Sequence, residues 1–317
     1  MAMDVIRGLD ELATPDGPSV VTVGFFDGVH LGHQAVLRTA VEAAAARGIR
    51  SVAVTFDRHP REILTPGREP RLLATVERRA ELIATAGIDV LLVLAFTEEL
   101  SRWSAEDFVS RVLVQGLRTE HAVVGANFTF GFKALGTIET LVELGPSRGF
   151  TAEAVELVHL GKRRVSSSSI REALVEGDLG WPERAMGRRF VLDGEVVRGA
   201  GRGTGLGWPT ANLRALPRLL LPGRGVYAGI ARVPDGEFVA AVNVGTNPTF
   251  GQEPLHVESY LLDFEGDLLG SPMSIEFHAR LRDEERFDTS EELSAAIADD
   301  VRRTRALVSR PVGDSGP

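Results

Sequence analysis

The first half of the chain alternates short apolar runs with longer stretches whose apolar residues recur every three or four positions. The short runs are typical of buried strands and the longer stretches of amphipathic helices. Predicted strands cover residues 20–25, 51–56, 88–94, 122–125 and 152–158, and predicted helices cover residues 33–47, 72–86, 104–113 and 137–144. Gly48 and Gly87 stop two of these helices, and Ser104 forms a capping box with Asp107. The alternation predicts an α/β domain, a parallel sheet with helices on both faces, whose ligands bind beyond the carboxyl ends of the strands.

The second half has a different pattern, in which strand-like runs are joined by turns rich in Gly and Pro. Six runs begin near positions 190, 212, 226, 238, 257 and 273. They predict a small antiparallel β-barrel. A closing amphipathic helix over residues 290–307 follows, with Ser290 as its cap and an apolar face of Leu293, Ala296, Ile297, Val301 and Leu307. The change of pattern predicts two domains, residues 1–182 and 183–317.

Composition narrows the class of protein. The 317 residues are 44% hydrophobic and 25% charged, which is typical of a globular chain. A formal net charge of −9 gives no general attraction to nucleic acid or to anionic lipid, so neither is expected as a partner. The absence of cysteine excludes disulfides, thiol catalysis and thiolate zinc sites, and it agrees with a cytoplasmic location. The longest apolar stretch, near residues 88–96, is too short to span a bilayer, and no signal peptide is evident.

Two histidines follow the first predicted strand. Residues 24–33 read Gly-Phe-Phe-Asp-Gly-Val-His-Leu-Gly-His and join that strand to the first helix. A strand end, a glycine turn and a helix N-terminus form an anion site, because free N–H groups and the helix dipole point at the ligand. His30 and His33 can donate hydrogen bonds to phosphate there, and Gly32 leaves room for a nucleotide. Two other interpretations stay open: the histidines only cap the turn and helix, or they bind a metal ion together with His59.

A run of serines forms a second candidate phosphate site. Residues 166–169 are all serine and lead into a predicted helix whose first turn carries Arg171. Hydroxyls, helix N–H groups and a guanidinium suit phosphate oxygens. Taken alone, the segment is more typical of an ordinary serine-capped helix.

A glycine-rich segment in the second half is followed by possible ligands for a nucleotide. The glycines permit close approach of the backbone to a phosphate or a flat ring; they are Gly199, Gly201, Gly203, Gly205 and Gly207. The segment lacks the Gly-Lys-Ser/Thr of a Walker A loop and the following helix of a dinucleotide fingerprint. Thr210 and Asn212 offer neutral oxygens that suit a hydrated Mg²⁺ carrying ATP phosphates.

Glu258 lies inside a later predicted strand, where a carboxylate could accept a proton from a substrate hydroxyl. A solvated strand glutamate is the other interpretation, because alternation does not settle which face of the barrel Glu258 occupies. Without further context, the glycine segment is equally typical of an ordinary loop.

The first half resembles the adenylyltransferase domain of prokaryotic bifunctional riboflavin kinase/FMN adenylyltransferases, the FAD synthetases. The matching segments are residues 24–33, 55–60, 125–131 and 166–174, in the order found in that family. The resemblance implies a Rossmann-like nucleotidylyltransferase domain with ATP over the strand ends. It further implies that the phosphate of FMN attacks the α-phosphorus of ATP, which releases pyrophosphate and forms FAD.

This resemblance also implies roles for individual residues. His30 and His33 would contact the ATP phosphates as the catalytic pair, and Ser167, Ser168 and Arg171 would hold the β and γ phosphates. Asn127 would lie near the reacting phosphates or metal, and Phe128 near the flavin. The cofactor-binding turn would include Gly24, Phe25, Asp27 and Gly32.

The second half resembles the riboflavin kinase module of the same family. The matching segments are residues 199–212, 225–229, 242–249 and 257–259. The resemblance implies that Thr210 and Asn212 bind Mg²⁺ and ATP, that the glycine loop covers the nucleotide, and that Glu258 activates the riboflavin 5′-hydroxyl. The implied partners are therefore riboflavin, FMN and ATP, and the implied cofactor is Mg²⁺.

Two other functions stay open. One is a flavin-binding or flavin-sensing module without catalysis. The other is a nucleotidylyltransferase for a different acceptor, in which the barrel only binds. The products formed from riboflavin, ATP and Mg²⁺ discriminate among the three.

Overall fold

A computed structural model describes residues 3–11, 17–199, 208–246 and 255–308. The chain divides into two compact units, Met1–Pro70 with Val76–Ser167, and Arg71–Thr75 with Ser168–Pro317. The predicted domains, residues 1–182 and 183–317, stay a prediction. The helix after the serine run packs in the second unit, where the amide of Gly223 donates to the carbonyl of Leu174, 2.8 Å away.

A parallel sheet forms the centre of the first unit. Within the described residues it has six strands: β1 (Asp4–Arg7), β2 (Ser19–Val23), β3 (Arg50–Phe56), β4 (Val90–Leu94), β5 (Thr119–Gly125) and β6 (Thr151–Val155). They lie in the order β1-β4-β3-β2-β5-β6, and each neighbouring pair is parallel, which confirms the predicted sheet. Strand β1 was not predicted, since it is short and largely exposed. The strand order changes direction between β2 and β5, so a ligand crevice is expected at their carboxyl ends.

Helices cover both faces of this sheet, as predicted. They are α1 (Leu31–Arg47), α2 (Arg61–Leu64), α3 (Val76–Ala84), α4 (Glu98–Ser101), α5 (Ala105–Phe108), which continues as a π-helix over Val109–Gly116, and α6 (Ile138–Arg148). A 3₁₀ turn lies at Phe132–Ala134, and a small antiparallel pair is formed by β7 (His159–Leu160) and β8 (Arg163–Arg164). One apolar cluster packs the π-helix against strand residues such as Val21 and Leu92, and others pack α1 and α3 against residues such as Val20 and Leu91. The Ser104–Asp107 capping box and the left-handed stop at Gly48 are both confirmed.

One predicted helix of the first unit begins later than expected. The pattern indicated residues 72–86, whereas α3 begins at Val76. Residues Arg71–Thr75 belong instead to the second unit, where Leu72 donates to the carbonyl of Arg218 and accepts from the amide of Leu220. Tertiary hydrogen bonds thus replace the first predicted turn of the helix.

The second unit is built on a closed antiparallel barrel. Two helices, α7 (Ser167–Val175) and α8 (Gly180–Met186), precede it. The six barrel strands found in the described ranges are β9 (Val191–Val197), β10 (Ala211–Ala215), β11 (Gly225–Val233), β12 (Gly236–Gly245), β13 (His256–Leu261) and β14 (Pro272–Arg282). They close in the order β10-β13-β12-β11-β14-β9, and α9 (Ser290–Leu307) follows. The predicted barrel with a closing helix is confirmed.

Two details of α9 differ from the prediction. Its cap is Thr289, whose hydroxyl accepts from the amide of Glu292 at 3.2 Å, and not Ser290. Its most buried residues are Asp300 and Thr304, whereas Leu307 is 56% exposed. Asp300 is tolerated inside because Arg282 of β14 donates to it at 2.7 Å, and this ion pair also ties helix to barrel. None of the helices in the described part of the chain is long and apolar enough to cross a membrane.

Candidate active sites

The turn from β2 to α1 has an unusual backbone that presents two imidazoles at a helix N-terminus. Phe26, Gly28 and Val29 all have positive φ, at 54°, 74° and 37°. His30 is the N-cap of α1, and its Nδ1 accepts a hydrogen bond from the amide of His33 at 3.3 Å. The two imidazole rings stack with centroids 3.7 Å apart. The predicted pair therefore forms one compact unit at the carboxyl end of β2.

Two glycines of this turn supply space for the rings. A Cβ at Gly32 would lie 3.2 Å from the Cε1 and Nδ1 atoms of His30, and a Cβ at Gly24 would lie 3.0 Å from the ring of Phe26. Neither glycine has a positive φ, so the absence of a side chain and not the backbone conformation is what matters. Any larger residue at either position would press on an aromatic ring of the turn.

The serine run begins at the same turn. The hydroxyl of Ser167 donates to the carbonyl of Asp27 at 3.0 Å, and Asp27 itself is buried. Ser168 and Arg171 follow within α7 and belong to the second unit, where Nε of Arg171 donates to the carbonyl of Arg71 at 2.6 Å. The structure thus joins Ser167 to the histidine turn.

Asn127 and Phe128 follow β5, the neighbour of β2 on the other side of the change in strand order. Asn127 is exposed, and its Oδ1 lies 3.5 Å from where a Cβ of Gly125 would be. The amide of Phe128 donates to the carbonyl of Gly125, and its ring stacks on Phe130 with centroids 5.4 Å apart. Both segments leave the same edge of the sheet, because β2 and β5 are neighbouring parallel strands.

His59 lies against this turn without forming a metal site. Its ring makes an edge contact with Phe25 at 4.8 Å, and its Nδ1 accepts from the amide of Arg61 at 3.1 Å. In the ranges that the structure describes, no group of three or more His, Asp or Glu side chains could hold a metal ion. The interpretation as a three-histidine metal site therefore has no structural support there.

Arg79 of α3 is a residue of this region that the sequence analysis missed. Its side chain is fully buried beneath the turn: Nη1 donates to the carbonyl of Phe25 and to the hydroxyl of Thr55, and Nη2 donates to the carbonyl of Phe56. Burial lowers the pKa of Arg79 to about 10, against the opposing attraction of Asp27, so the guanidinium is charged at neutral pH. The sequence contains a feature that could have identified Arg79. This charged residue lies between Val76 and Ile83 on the apolar face of a predicted helix.

Strand pairing in the barrel places Glu258 beside two asparagines. Glu258 of β13 is paired directly with Asn212 of β10 on one side and with Asn243 of β12 on the other. The next pair along, Leu213 with Val257, is buried in the barrel, so Glu258 and the asparagines face outward. Glu258 therefore lies on the outer face of the barrel, which the alternation of residues along the strand could not determine.

A cavity of about 900 Å³ adjoins Asn212 and Glu258. Its lining includes Gly199, Asn212, His256, Glu258, Arg198 and Arg214. Nε2 of His256 lies 3.7 Å from Oε1 of Glu258, and a Cβ at Gly199 would collide with the carboxamide of Asn212. Thr210 immediately precedes β10, whereas Gly201, Gly203, Gly205 and Gly207 lie outside the described residues. Neither Asn243 nor His256 was singled out from the sequence. Only strand register brings Asn243 to Glu258, whereas His256 lies two residues before Glu258 on the same strand, so the alternation of side chains could have found it.

Comparison with known proteins matches both halves of the chain. A family model described as FAD synthetase matches residues 13–169, and one described as riboflavin kinase matches residues 186–308. A bifunctional riboflavin kinase/FMN adenylyltransferase of Pseudomonas fluorescens is 40% identical over 97% of this chain and 98% of its own. The chain belongs to the bifunctional riboflavin kinase/FMN adenylyltransferase family. The resemblance predicted from the sequence is thereby confirmed.

Another curated relative and a solved structure also match the chain over nearly its full length. The bifunctional riboflavin kinase/FMN adenylyltransferase from Escherichia coli strain K12 is 33% identical over 96% of this chain and 97% of its own. A solved structure of a protein named macrolide-efflux protein, from Streptococcus pneumoniae, superposes with a TM-score of 0.85 at 29% identity, covering 96% of this chain and 99% of that one. Similarity thus extends over both units and is not confined to one domain.

Proposed function

We propose that the two reactions of this family are divided between the two compact units. The chain phosphorylates riboflavin to FMN and then adenylylates FMN to FAD, with ATP as the co-substrate of both steps. The observation that carries the proposed division is that the stacked histidines belong to the first unit, whereas the Glu258–Asn212 pair belongs to the second, where it lines a cavity. The dependence of both steps on ATP also favours the cytoplasm as the location.

Adenylyl transfer is assigned to the histidine turn. An oxygen of the FMN phosphate attacks the α-phosphorus of ATP, a new P–O bond forms, and the bond to pyrophosphate breaks. Because Nδ1 of His30 accepts from the backbone of α1, the proton of the neutral ring is on Nε2, which can donate to a phosphate oxygen. His33 supplies a second donor, and together the rings stabilise charge on the transferring phosphoryl group.

The remaining residues of the first site are assigned to binding. Asn127 and Phe128 follow β5, the strand beside β2, which supports contacts to the reacting phosphates and to the flavin. The hydroxyl of Ser167 contacts the turn through the carbonyl of Asp27, which supports a role in holding the β and γ phosphates. The family resemblance assigns Ser168 and Arg171, the following residues of α7, to the same phosphates. Gly24, Phe25, Asp27 and Gly32 shape the turn itself.

Riboflavin phosphorylation is assigned to the outer face of the barrel. Glu258 accepts the proton of the riboflavin 5′-hydroxyl while that oxygen attacks the γ-phosphorus of ATP, and ADP leaves. The Glu258 side chain is 31% exposed, so it is accessible from the adjoining cavity without being fully hydrated.

The residues beside Glu258 suit a magnesium ion carried by ATP. Mg²⁺ prefers oxygen ligands and keeps several waters, so one or two protein donors are enough. The hydroxyl of Thr210 and the carboxamide of Asn212 are such donors, and Glu258 adds negative charge directly opposite Asn212. When bound, the ion would neutralise phosphate charge; these residues would hold it in place and orient the nucleotide.

Product analysis of two variants tests the division. Purified protein is incubated with riboflavin, ATP and Mg²⁺, or with FMN, ATP and Mg²⁺, and the flavins are separated by chromatography. We expect Glu258→Gln to suppress FMN formation about 100-fold or more while FMN supplied directly still becomes FAD. We expect His30→Ala to suppress FAD formation about 100-fold or more while FMN formation continues.

Matched variants control for unrelated effects. Glu265→Gln and His159→Ala change exposed residues outside both sites and should leave both reactions unchanged. Loss of both reactions in either site variant would contradict separate sites. Binding of flavin without any product would favour the sensing module, and transfer to a phosphate acceptor other than FMN would favour a different nucleotidylyltransferase.

A further inference from the structure

A buried positive charge underlies the histidine turn. The side chain of Arg79 is 0% exposed and projects from α3 toward the carboxyl ends of β2 and β3. It donates at 2.7 Å to the carbonyl of Phe25, at 2.8 Å to the hydroxyl of Thr55 and at 2.9 Å to the carbonyl of Phe56. One guanidinium therefore links the ends of two neighbouring strands from below.

The same group fixes the aromatic ring at the start of the turn. The guanidinium carbon of Arg79 lies 4.3 Å from the ring centroid of Phe25. The hydroxyl of Thr55 donates to the carbonyl of Phe25 at 3.1 Å, so Arg79 and Thr55 converge on a single backbone oxygen. Phe26, which follows directly, already has a positive φ of 54°, and its ring makes an edge contact with His33. The anchored carbonyl thus holds a strained backbone that leads to the histidines.

The charge of Arg79 also matters for an anionic ligand. The buried carboxylate of Asp27 lies in the same turn and attracts the guanidinium electrostatically. Without a nearby cation, Asp27 and the carbonyl ends of two strands would oppose phosphates arriving at the turn. Because the surroundings are dry, a buried cation acts over a longer distance than an exposed one.

We propose that Arg79 is a positioning residue for adenylyl transfer, which fixes the turn in its phosphate-binding conformation and offsets the negative charge beneath it. This inference rests on the proposed function of the first unit. Arg79 acts through the backbone of Phe25 and the turn that follows, and the histidines remain the groups assigned to the phosphates. Its side chain does not reach the substrate, since it is fully buried.

Three variants separate charge, hydrogen bonding and fold. Arg79→Met removes charge and hydrogen bonds at similar length, Arg79→Lys keeps the charge without the planar fork, and Thr55→Val removes one partner while the charge stays. For each, kcat and KM for ATP are measured in FAD formation from FMN, at a temperature well below the unfolding midpoint. FMN formation from riboflavin is measured on the same samples and serves as the internal control.

We expect Arg79→Met to lower kcat/KM for ATP in FAD formation about 100-fold. Arg79→Lys should recover part of this loss and remain about tenfold below the unsubstituted protein, mainly in kcat, because the charge is restored and the fork is not. Thr55→Val should stay within tenfold. FMN formation should change less than twofold in all three variants, which excludes loss of the folded second unit. Because the rates are measured well below the unfolding midpoint of each variant, unfolding of the first unit does not explain the loss of FAD formation either.

The proposal is overturned if folded Arg79→Met makes FAD within threefold of the unsubstituted protein. If Arg79→Met does not fold, Arg79→Lys becomes the deciding variant. A rate of FAD formation by Arg79→Lys within threefold of the unsubstituted protein then overturns the proposal. Failure of the proposed function looks different, because the unsubstituted protein itself would make no FAD from FMN.

Discussion

Gly32 and Gly48 lie near opposite ends of helix α1 and are required for different physical reasons. At Gly32 the limit is space, because a Cβ would lie 3.2 Å from the imidazole of His30, which is held on its other side by the stacked ring of His33. At Gly48 the limit is conformation, because φ is 66°, whereas no residue of the described chain beyond its immediate neighbours comes within 4 Å of a possible Cβ. Gly32 is therefore required by the geometry of the site, and Gly48 by the end of the helix.

Substituting the two glycines should produce opposite results. Gly32→Ala should change the free energy of unfolding by less than about 1 kcal/mol relative to the unsubstituted protein, because alanine favours the helix. It should nevertheless lower the rate of FAD formation about 10- to 100-fold, because the new methyl group displaces His30. Gly48→Ala should lower the free energy of unfolding by about 1 kcal/mol and leave FAD formation unchanged. Urea unfolding and the rate of FAD formation check both. Unchanged activity in Gly32→Ala would show that the histidine stack adapts without loss.

At the scale of the element, the start of α9 depends on one hydroxyl. Thr289 has an extended backbone and accepts from the amide of Glu292, whereas Ser290, the cap expected from the sequence, is already the first helical residue. Threonine and serine are both preferred N-cap residues, so the sequence does not distinguish position 289 from position 290. Only the backbone conformation of the preceding loop does so. The pair offers a matched comparison within one helix.

We expect Thr289→Ala to destabilise the second unit by about 0.5–2 kcal/mol, because one amide of the first turn loses its partner. Ser290→Ala should change the free energy of unfolding by less than about 0.5 kcal/mol, since its exposed hydroxyl donates to the neighbouring carboxylate of Glu291 and does not cap the helix. Denaturant unfolding followed by the loss of riboflavin phosphorylation measures both. Equal effects of the two substitutions would contradict the assignment of the cap.

At the scale of the whole molecule, the five residues Arg71–Thr75 interrupt the sequence of the first unit and pack in the second. Leu72 forms a parallel bridge with Leu219, and the two flanking hydrogen bonds join it to Arg218 and Leu220. Leu72 and Leu219 are 8% and 6% exposed, so both bury apolar surface there. The second unit therefore requires a segment that precedes it by nearly a hundred residues in the chain.

Two substitutions within one predicted helix should affect different reactions. Leu72→Ala should destabilise the second unit by about 2–4 kcal/mol and make FMN formation heat-sensitive, with FAD formation from FMN retained. Ile83→Ala, at a fully buried position of α3, should do the reverse. Each reaction is assayed after brief heating at graded temperatures. If both variants lose the same reaction first, residues 72 and 83 stabilise the same unit.

The sequence by itself determined the features that depend on neighbouring residues. Hydrophobic periodicity predicted the parallel sheet, the barrel and the closing helix, and glycine at position 48 predicted a helix end, because these patterns are set by local backbone geometry. The two histidines could be placed at a strand-to-helix turn for the same reason. Their spacing of three residues on one helix turn brings them together without any distant contact.

The tertiary structure decided what depends on partners distant in the chain. Register with Asn212 and Asn243 put Glu258 on the outer face of the barrel, and burial beneath two strand ends gave Arg79 its partners. Long-range hydrogen bonds moved residues 71–75 out of a predicted helix, and Arg282 allowed Asp300 to be buried where the apolar pattern favoured Leu307. Three features are responsible: the register between strands, the pairing of buried charges, and the packing of residues 71–75 in the second unit. Each depends on contacts between residues that are far apart in the sequence.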